Sequence, residues 1–211
     1  MKLKRSQQKL IVSLAAVLIV TVAGYFGFYP GSQSQDKSQG QTQRTTATQS
    51  SSSAGKAAVV LPAQTVVSAK VASVVDGDTA HFTIEGADVK VRFIGMNCPE
   101  DTTKVEKYGP EATAYTKSIL TVGRQVWLET DKGPTDRYGR TLAYVWLTRP
   151  PATLSERQAL ASDALVARML DAQLLAKGWA QVMTVAPNAA YKATFEELER
   201  QAKFQRIGMW R

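Results

Sequence analysis

The chain has 211 residues, 44% of them hydrophobic, and a formal net charge of +8, enough for one ordinary domain with additional segments. Residues 1–63 hold seven basic residues and one acidic residue; taken from totals of 26 and 18, these leave 19 basic and 17 acidic residues in 64–211. The positive charge is therefore an N-terminal property and does not mark the remainder as a nucleic-acid binder. Cys98 is the single cysteine and His81 the single histidine, which excludes an internal disulfide, a Cys/His zinc cage and any metal site built on paired histidines. What chemistry there is must come from carboxylates, arginines, hydroxyls and a hard cation.

In chain order, residues 1–9 form a basic flank (Lys2, Lys4, Arg5, Lys9) and residues 10–29, Leu10 to Tyr29, run without a charge. At 1.5 Å per residue this run spans about 30 Å, one hydrocarbon core. It is expected to be a transmembrane signal-anchor with the basic flank inside and the C-terminal side outside. The rival reading is a signal peptide cleaved near Thr21-Val22-Ala23, which would leave the protein secreted. Residues 30–63 are rich in Gln, Ser and Thr and too poor in bulky apolar side chains to bury a core, so a disordered tether with a reach of roughly 30 Å is expected there.

From Thr65 the pattern turns to strands, over Thr65–Val75, Thr79–Ile84 and Val89–Ile94, with turns at Asp76-Gly77-Asp78 and Glu85-Gly86. Pro110 opens a helix that Gly123 ends. Strands at Gln125–Glu129 and Leu142–Leu147 follow, then a helical region from Ser155 to Gly178 and a last helix over Ala189–Arg206. Five short strands with a helix after the third predict a mainly β, α+β fold: a five-stranded barrel capped by about three helices, filling 64–211.

Four segments concentrate reactive residue types: Asp76 to Thr79, Arg92 to Glu100, Tyr108 to Ala112, and Asp136 to Arg140. An arginine inside an apolar strand, as at Arg92, needs an anion. That anion is either a nearby carboxylate (Asp76, Asp78 or Glu100) or a phosphate, which guanidinium meets with two parallel hydrogen bonds. Two arginines, one glutamate and an aspartate-bearing turn are the parts of metal-assisted phosphodiester hydrolysis without histidine. Cys98 has no histidine partner and reads as no nucleophile. His81 reads as a half-buried strand residue, and Trp179 and Trp210 as core aromatics.

These segments, with Val105 to Ala112, Asp131-Lys132-Gly133, Asp136 to Leu142 and the closing Met209-Trp210, resemble the staphylococcal (micrococcal) nuclease family over essentially all of 65–211. The resemblance implies an OB-fold, Ca²⁺-dependent endonuclease acting on DNA or RNA and leaving 3′-phosphates, and a monomer is expected. It implies Asp78 and the Cys98 backbone carbonyl as calcium ligands, with Asp76 orienting them. Glu100 is implied as the base, Arg92 and Arg140 as grips on the scissile phosphate, and Tyr138 as a contact to a neighbouring phosphate. Where the prototype has a second aspartate ligand this chain has Asn97, which keeps an oxygen but loses a charge and so predicts weaker calcium binding. Residues Gln181 to Ala186 lack the tyrosines on which the prototype stacks a base. An insertion around Thr148–Arg168 has no counterpart there; it reads either as a longer helix packed on the barrel or as a partner surface. The alternative function, favoured by Asn97, is a catalytically weakened nucleic-acid-binding module of the same fold.

Overall fold

The computed structural model describes residues 59–211. The expected basic flank and membrane segment, and most of the expected tether, lie outside the described residues. Among the described residues no helix is long and apolar enough to cross a membrane.

Among the described residues seven strands form: β1 (Val66–Val74), β2 (Thr79–Ile84), β3 (Ala87–Phe93), β4 (Gly95–Asn97), β5 (Gln125–Glu129), β6 (Thr141–Trp146) and β7 (Gln181–Met183). Five of them close into a barrel in the order β1-β2-β3-β6-β5. The alternation that builds it is plain in β3, where Ala87, Val89, Val91 and Phe93 are buried while Asp88 and Lys90 face water, the period-2 pattern of a half-solvated strand. Glu85 and Gly86 both take positive φ in the β2–β3 turn, matching the twist of a two-residue hairpin. β3 runs parallel to β6, and the other barrel pairs are antiparallel. The separate two-stranded ribbon β4–β7 was not anticipated.

The expected barrel is present, with more caps than the three expected: α1 (Gly109–Ile119), α2 (Leu154–Gln158), α3 (Ser162–Arg168), α4 (Leu170–Ala176), α5 (Lys192–Gln205) and a closing 3-10 turn, Gly208–Trp210. The single helical region expected from Ser155 to Gly178 is three helices. Between α3 and α4, Met169 is extended (φ −125°, ψ 127°) and forms a β-bridge to Trp146, so a tertiary strand contact interrupts a sequence of helix formers. The 148–168 insertion becomes α2 and α3, and α2 opens on a reciprocal capping box between Thr153 and Glu156.

Packing begins before residue 64. Leu61 is buried in the core, and the Thr130 hydroxyl donates to the Pro62 carbonyl at 2.6 Å. Of the tryptophans, Trp146 is the fully buried one; Trp179 and Trp210, expected in the core, are half-buried. His81 is half-buried as expected and lies 2.8 Å from Asp88 across the β2–β3 hairpin.

Candidate active site

The hairpin register sets the first half of the site. Thr79 stands opposite Arg92, and the Phe93 N–H donates to the Asp78 carbonyl at 2.8 Å, which brings the Asp76–Asp78 turn against the end of β3. The turn is held from behind: the Thr116 hydroxyl of α1 donates to the Gly77 carbonyl at 2.7 Å. A Cβ at Gly77 would lie 2.7 Å from the Cys98 Cβ, so only glycine lets the turn and the Asn97–Cys98 segment meet.

Arg92 is buried and heavily engaged. Its Nη1 lies 2.8 Å from Asp78 Oδ1 and donates to the Phe93 carbonyl at 3.1 Å, and its Nη2 donates to Asn97 Oδ1 at 2.7 Å. Of the two anions weighed for Arg92, the carboxylate of Asp78 is thus in place. Among the described residues no acceptor meets its Nε. That N–H and the second Nη2 hydrogen remain for a ligand, and a guanidinium edge of this kind matches a phosphate. Asp78 Oδ2 accepts from the Cys98 N–H at 2.7 Å. Burial pushes the Asp78 carboxyl up to about 6; Arg92 opposes the shift, and Asp76 adds to it. Asp76 takes the Asp78 N–H on its Oδ1 at 3.0 Å, so it orients the turn. Asn97 spends its other polar atom as well, with Nδ2 donating to the Cys98 carbonyl at 3.0 Å.

Arg140 stands immediately before β6, whose parallel pairing with β3 sets Leu142 opposite Arg92. Its Nε donates to Asp136 Oδ2 at 2.7 Å, and Asp136 Oδ1 accepts the N–H groups of Tyr138 and Arg140, both at 2.9 Å. Burial alone would raise the Asp136 carboxyl, but hydrogen bonds from Arg140 and Tyr138 outweigh it and hold it below its ordinary range. Asp136 therefore builds both the turn and the angle of Arg140, a role that sequence reasoning missed. An Asp at the head of a turn ending in Gly139-Arg140 was the available signal. Tyr138 is exposed; Arg137 donates to its hydroxyl at 2.6 Å and lies over its ring at 4.8 Å.

Glu100 follows Pro99, half-buried at the rim. The Thr102 hydroxyl, first, and the amides of Thr102 and Asp101 lower its carboxyl below the ordinary range. Cys98 is buried, and burial foremost, then Asp78, raises its thiol well above the usual value; a protonated, enclosed thiol is no nucleophile.

A hollow of about 80 Å³ is lined by Asp76, Asp78, Arg92, Asn97, Glu100 and Arg140, with Cys98 beside them. A larger groove of about 520 Å³ shares Arg92 and Arg140 with it and runs past Tyr138 to Met183 and Val185. Asn188 ties the groove's floor, accepting from the Gly133 N–H at 2.7 Å and donating to its carbonyl at 2.8 Å. Among the described residues no three His, Cys, Asp or Glu side chains converge on one point as a metal cage. The donors at the hollow are nevertheless all oxygens: two aspartates, a glutamate, an amide and a backbone carbonyl. That set fits a hard cation keeping much of its water, and suits no soft metal.

A closed five-stranded barrel with arginines and carboxylates around one hollow has the architecture of a nuclease-like OB barrel. The model of the staphylococcal nuclease homologue family matches residues 90–211, and the chain belongs to that family. It is 35% identical over 140 residues to the thermonuclease of Staphylococcus intermedius, covering 65% of this chain and 72% of that protein. It is 35% identical over 144 residues to the thermonuclease of Staphylococcus hyicus, covering 67% and 74%. It is also 31% identical over 141 residues to the SPbeta prophage-derived endonuclease YokF of Bacillus subtilis (strain 168), covering 64% of this chain and 41% of that protein.

Proposed function

We propose that this chain is a calcium-dependent endonuclease that hydrolyses phosphodiester bonds of DNA or RNA. It acts as a monomer outside the cell, tethered by its N-terminal segment or secreted if that segment is cleaved. The observation that carries the reading is the hollow itself: Arg92, Arg140, Asp78 and Glu100, drawn from three separate segments, line one small space beside a nucleoside-sized groove.

In this reading the free edge of Arg92 and the terminal nitrogens of Arg140 grip the non-bridging oxygens of the scissile phosphate, and they tighten as charge develops there. Glu100 takes the proton from a water as its oxygen bonds to phosphorus; the P–O5′ bond breaks with its electron pair going to O5′, which takes a proton from solvent to become a 5′-hydroxyl, and a 3′-phosphate is left on the other strand end. Tyr138 contacts the neighbouring phosphate. The positions that fit calcium are Asp78, Asn97 and the Cys98 carbonyl, with Asp76 orienting Asp78. Calcium bound there supplies Lewis-acid neutralisation of the phosphate oxygens. The alternative, a binding module with weakened chemistry, rests on Asn97 alone, whereas Arg92, Glu100 and Arg140 all line the hollow.

Plasmid degradation by the full-length protein tests the proposal. Cleavage is expected with Ca²⁺ and none with a chelator, and Glu100→Gln or Arg140→Ala is expected to lower the rate at least ~10²-fold. Activity surviving chelation and both substitutions overturns it.

A further inference from the structure

The loop after Glu100 holds that residue at two levels. Its backbone is clasped by Glu106: the Glu100 N–H donates to Glu106 Oε2 at 3.1 Å, and the Glu106 N–H returns to the Glu100 carbonyl at 2.8 Å. A Cβ on Gly109 would lie 2.2 Å from that carbonyl, so the start of α1 closes directly on it. The carboxylate is held separately. Its Oε1 accepts from the Asp101 N–H at 3.1 Å, from the Thr102 N–H at 2.9 Å and from the Thr102 hydroxyl. Among the described residues no donor meets Oε2.

Three donors on one oxygen and none on the other is an asymmetric grip. A free glutamate has three rotatable side-chain bonds and samples many orientations, whereas a base needs one oxygen within hydrogen-bond reach of its proton. We infer that Thr102 is a positioning residue for Glu100, locking Oε1 so that Oε2 is the oxygen presented to the attacking water. The inference rests on the reading of Glu100 as the base. Its hydroxyl is the side-chain part of the grip; the two amides would persist in any variant that keeps the loop. Removing it therefore loosens the carboxylate without removing it, and a misplacement of a catalytic group by even 1 Å is costly.

The test is steady-state cleavage of a short fluorescent DNA oligonucleotide by full-length wild type, Thr102→Val, Thr102→Ser and Glu100→Gln, plus the Thr102→Val, Glu100→Gln double variant. Thr102→Val, which keeps the shape and loses the hydroxyl, is expected to lower kcat about tenfold while KM and melting temperature stay put. Thr102→Ser is expected to restore kcat to within about twofold, because it returns the donor. In the Glu100→Gln background the valine is expected to cost nothing further, since Thr102 acts only through Glu100. A kcat for Thr102→Val within twofold of wild type overturns the inference, as does an equal loss with Glu100 already removed. A wild type inactive with Ca²⁺ instead brings down the proposed function, and this inference with it.

Discussion

The barrel carries a buried arginine–carboxylate pair at each of two places, and the two look alike by distance. Arg92 lies 2.8 Å from Asp78 and Arg157 lies 2.9 Å from Glu129, with all four residues buried. What separates them is the company each pair keeps. Glu129 gives one oxygen to Arg157 Nε and the other to Trp146 Nε1 at 2.7 Å and the Tyr191 hydroxyl at 2.8 Å. Arg157 sends Nη1 to the carbonyls of Pro151 and Ala152 at 2.9 and 2.8 Å. This pair pins the insertion to the barrel wall. At Arg92 one guanidinium edge stays open to the hollow, and burial still holds Asp78 up against its partner. A short ion pair says little by itself; the second arginine and the further acids gathered around Arg92 and Asp78 carry the functional signal.

Exchanging the two arginines' fates is the sharpest way to break this comparison. Arg92→Ala is expected to cost at least ~10²-fold in cleavage rate. Arg157→Ala is expected to cost about 3–5 kcal/mol of stability by stranding Glu129, while the molecules still folded cleave normally. Urea melts and rates on the same preparations check both, and a comparable activity loss at the two sites would erase the distinction. Smaller in effect, Asn97→Asp adds a negative charge beside Asp78 and is expected to tighten calcium about tenfold by calorimetry. An unmoved midpoint would show that this position serves Arg92 alone.

Smallest is the effect of a third buried acid, Asp171 of α4. It is fully buried, accepts the Val145 N–H at 2.8 Å on Oδ2 and, among the described residues, has no partner on Oδ1. Burial pushes its carboxyl up to about 8 from 3.8, against the Val145 hydrogen bond. Between those values the folded chain binds more protons than the unfolded chain, so stability is full below about pH 4 and falls as pH rises toward 8. Asp171→Asn removes that slope. Its gain in Tm is expected to be a few degrees at pH 8 and least near pH 4, read from thermal melts across that window. Equal slopes in both proteins would refute it.

Most of the barrel was legible because its strands alternate. Thr79–Ile84 and Gln125–Glu129 have the expected bounds, and β1, β3 and β6 differ from expectation by one or two residues. What was not legible depends on partners distant in sequence. β4 and β7 are three residues each, too short for a period, and they pair across the chain, Gly95 with Met183. The break at Met169 carries no Gly or Pro and is imposed by Trp146. The site residues stood out by type and order, since arginines and acids at strand ends are costly unless used. The supporting roles of Asp136 and Thr102 did not, because an aspartate in a turn and a threonine in a loop are unremarkable until their hydrogen bonds are seen.

The parallel join of β3 to β6 also fixes when the molecule becomes dangerous. Arg92 lies on β3 and Arg140 immediately before β6, its parallel partner, and parallel neighbours need a long crossover before they can meet. A chain still unfolded therefore carries both arginines with no common hollow between them. The hollow exists only once that crossover has closed.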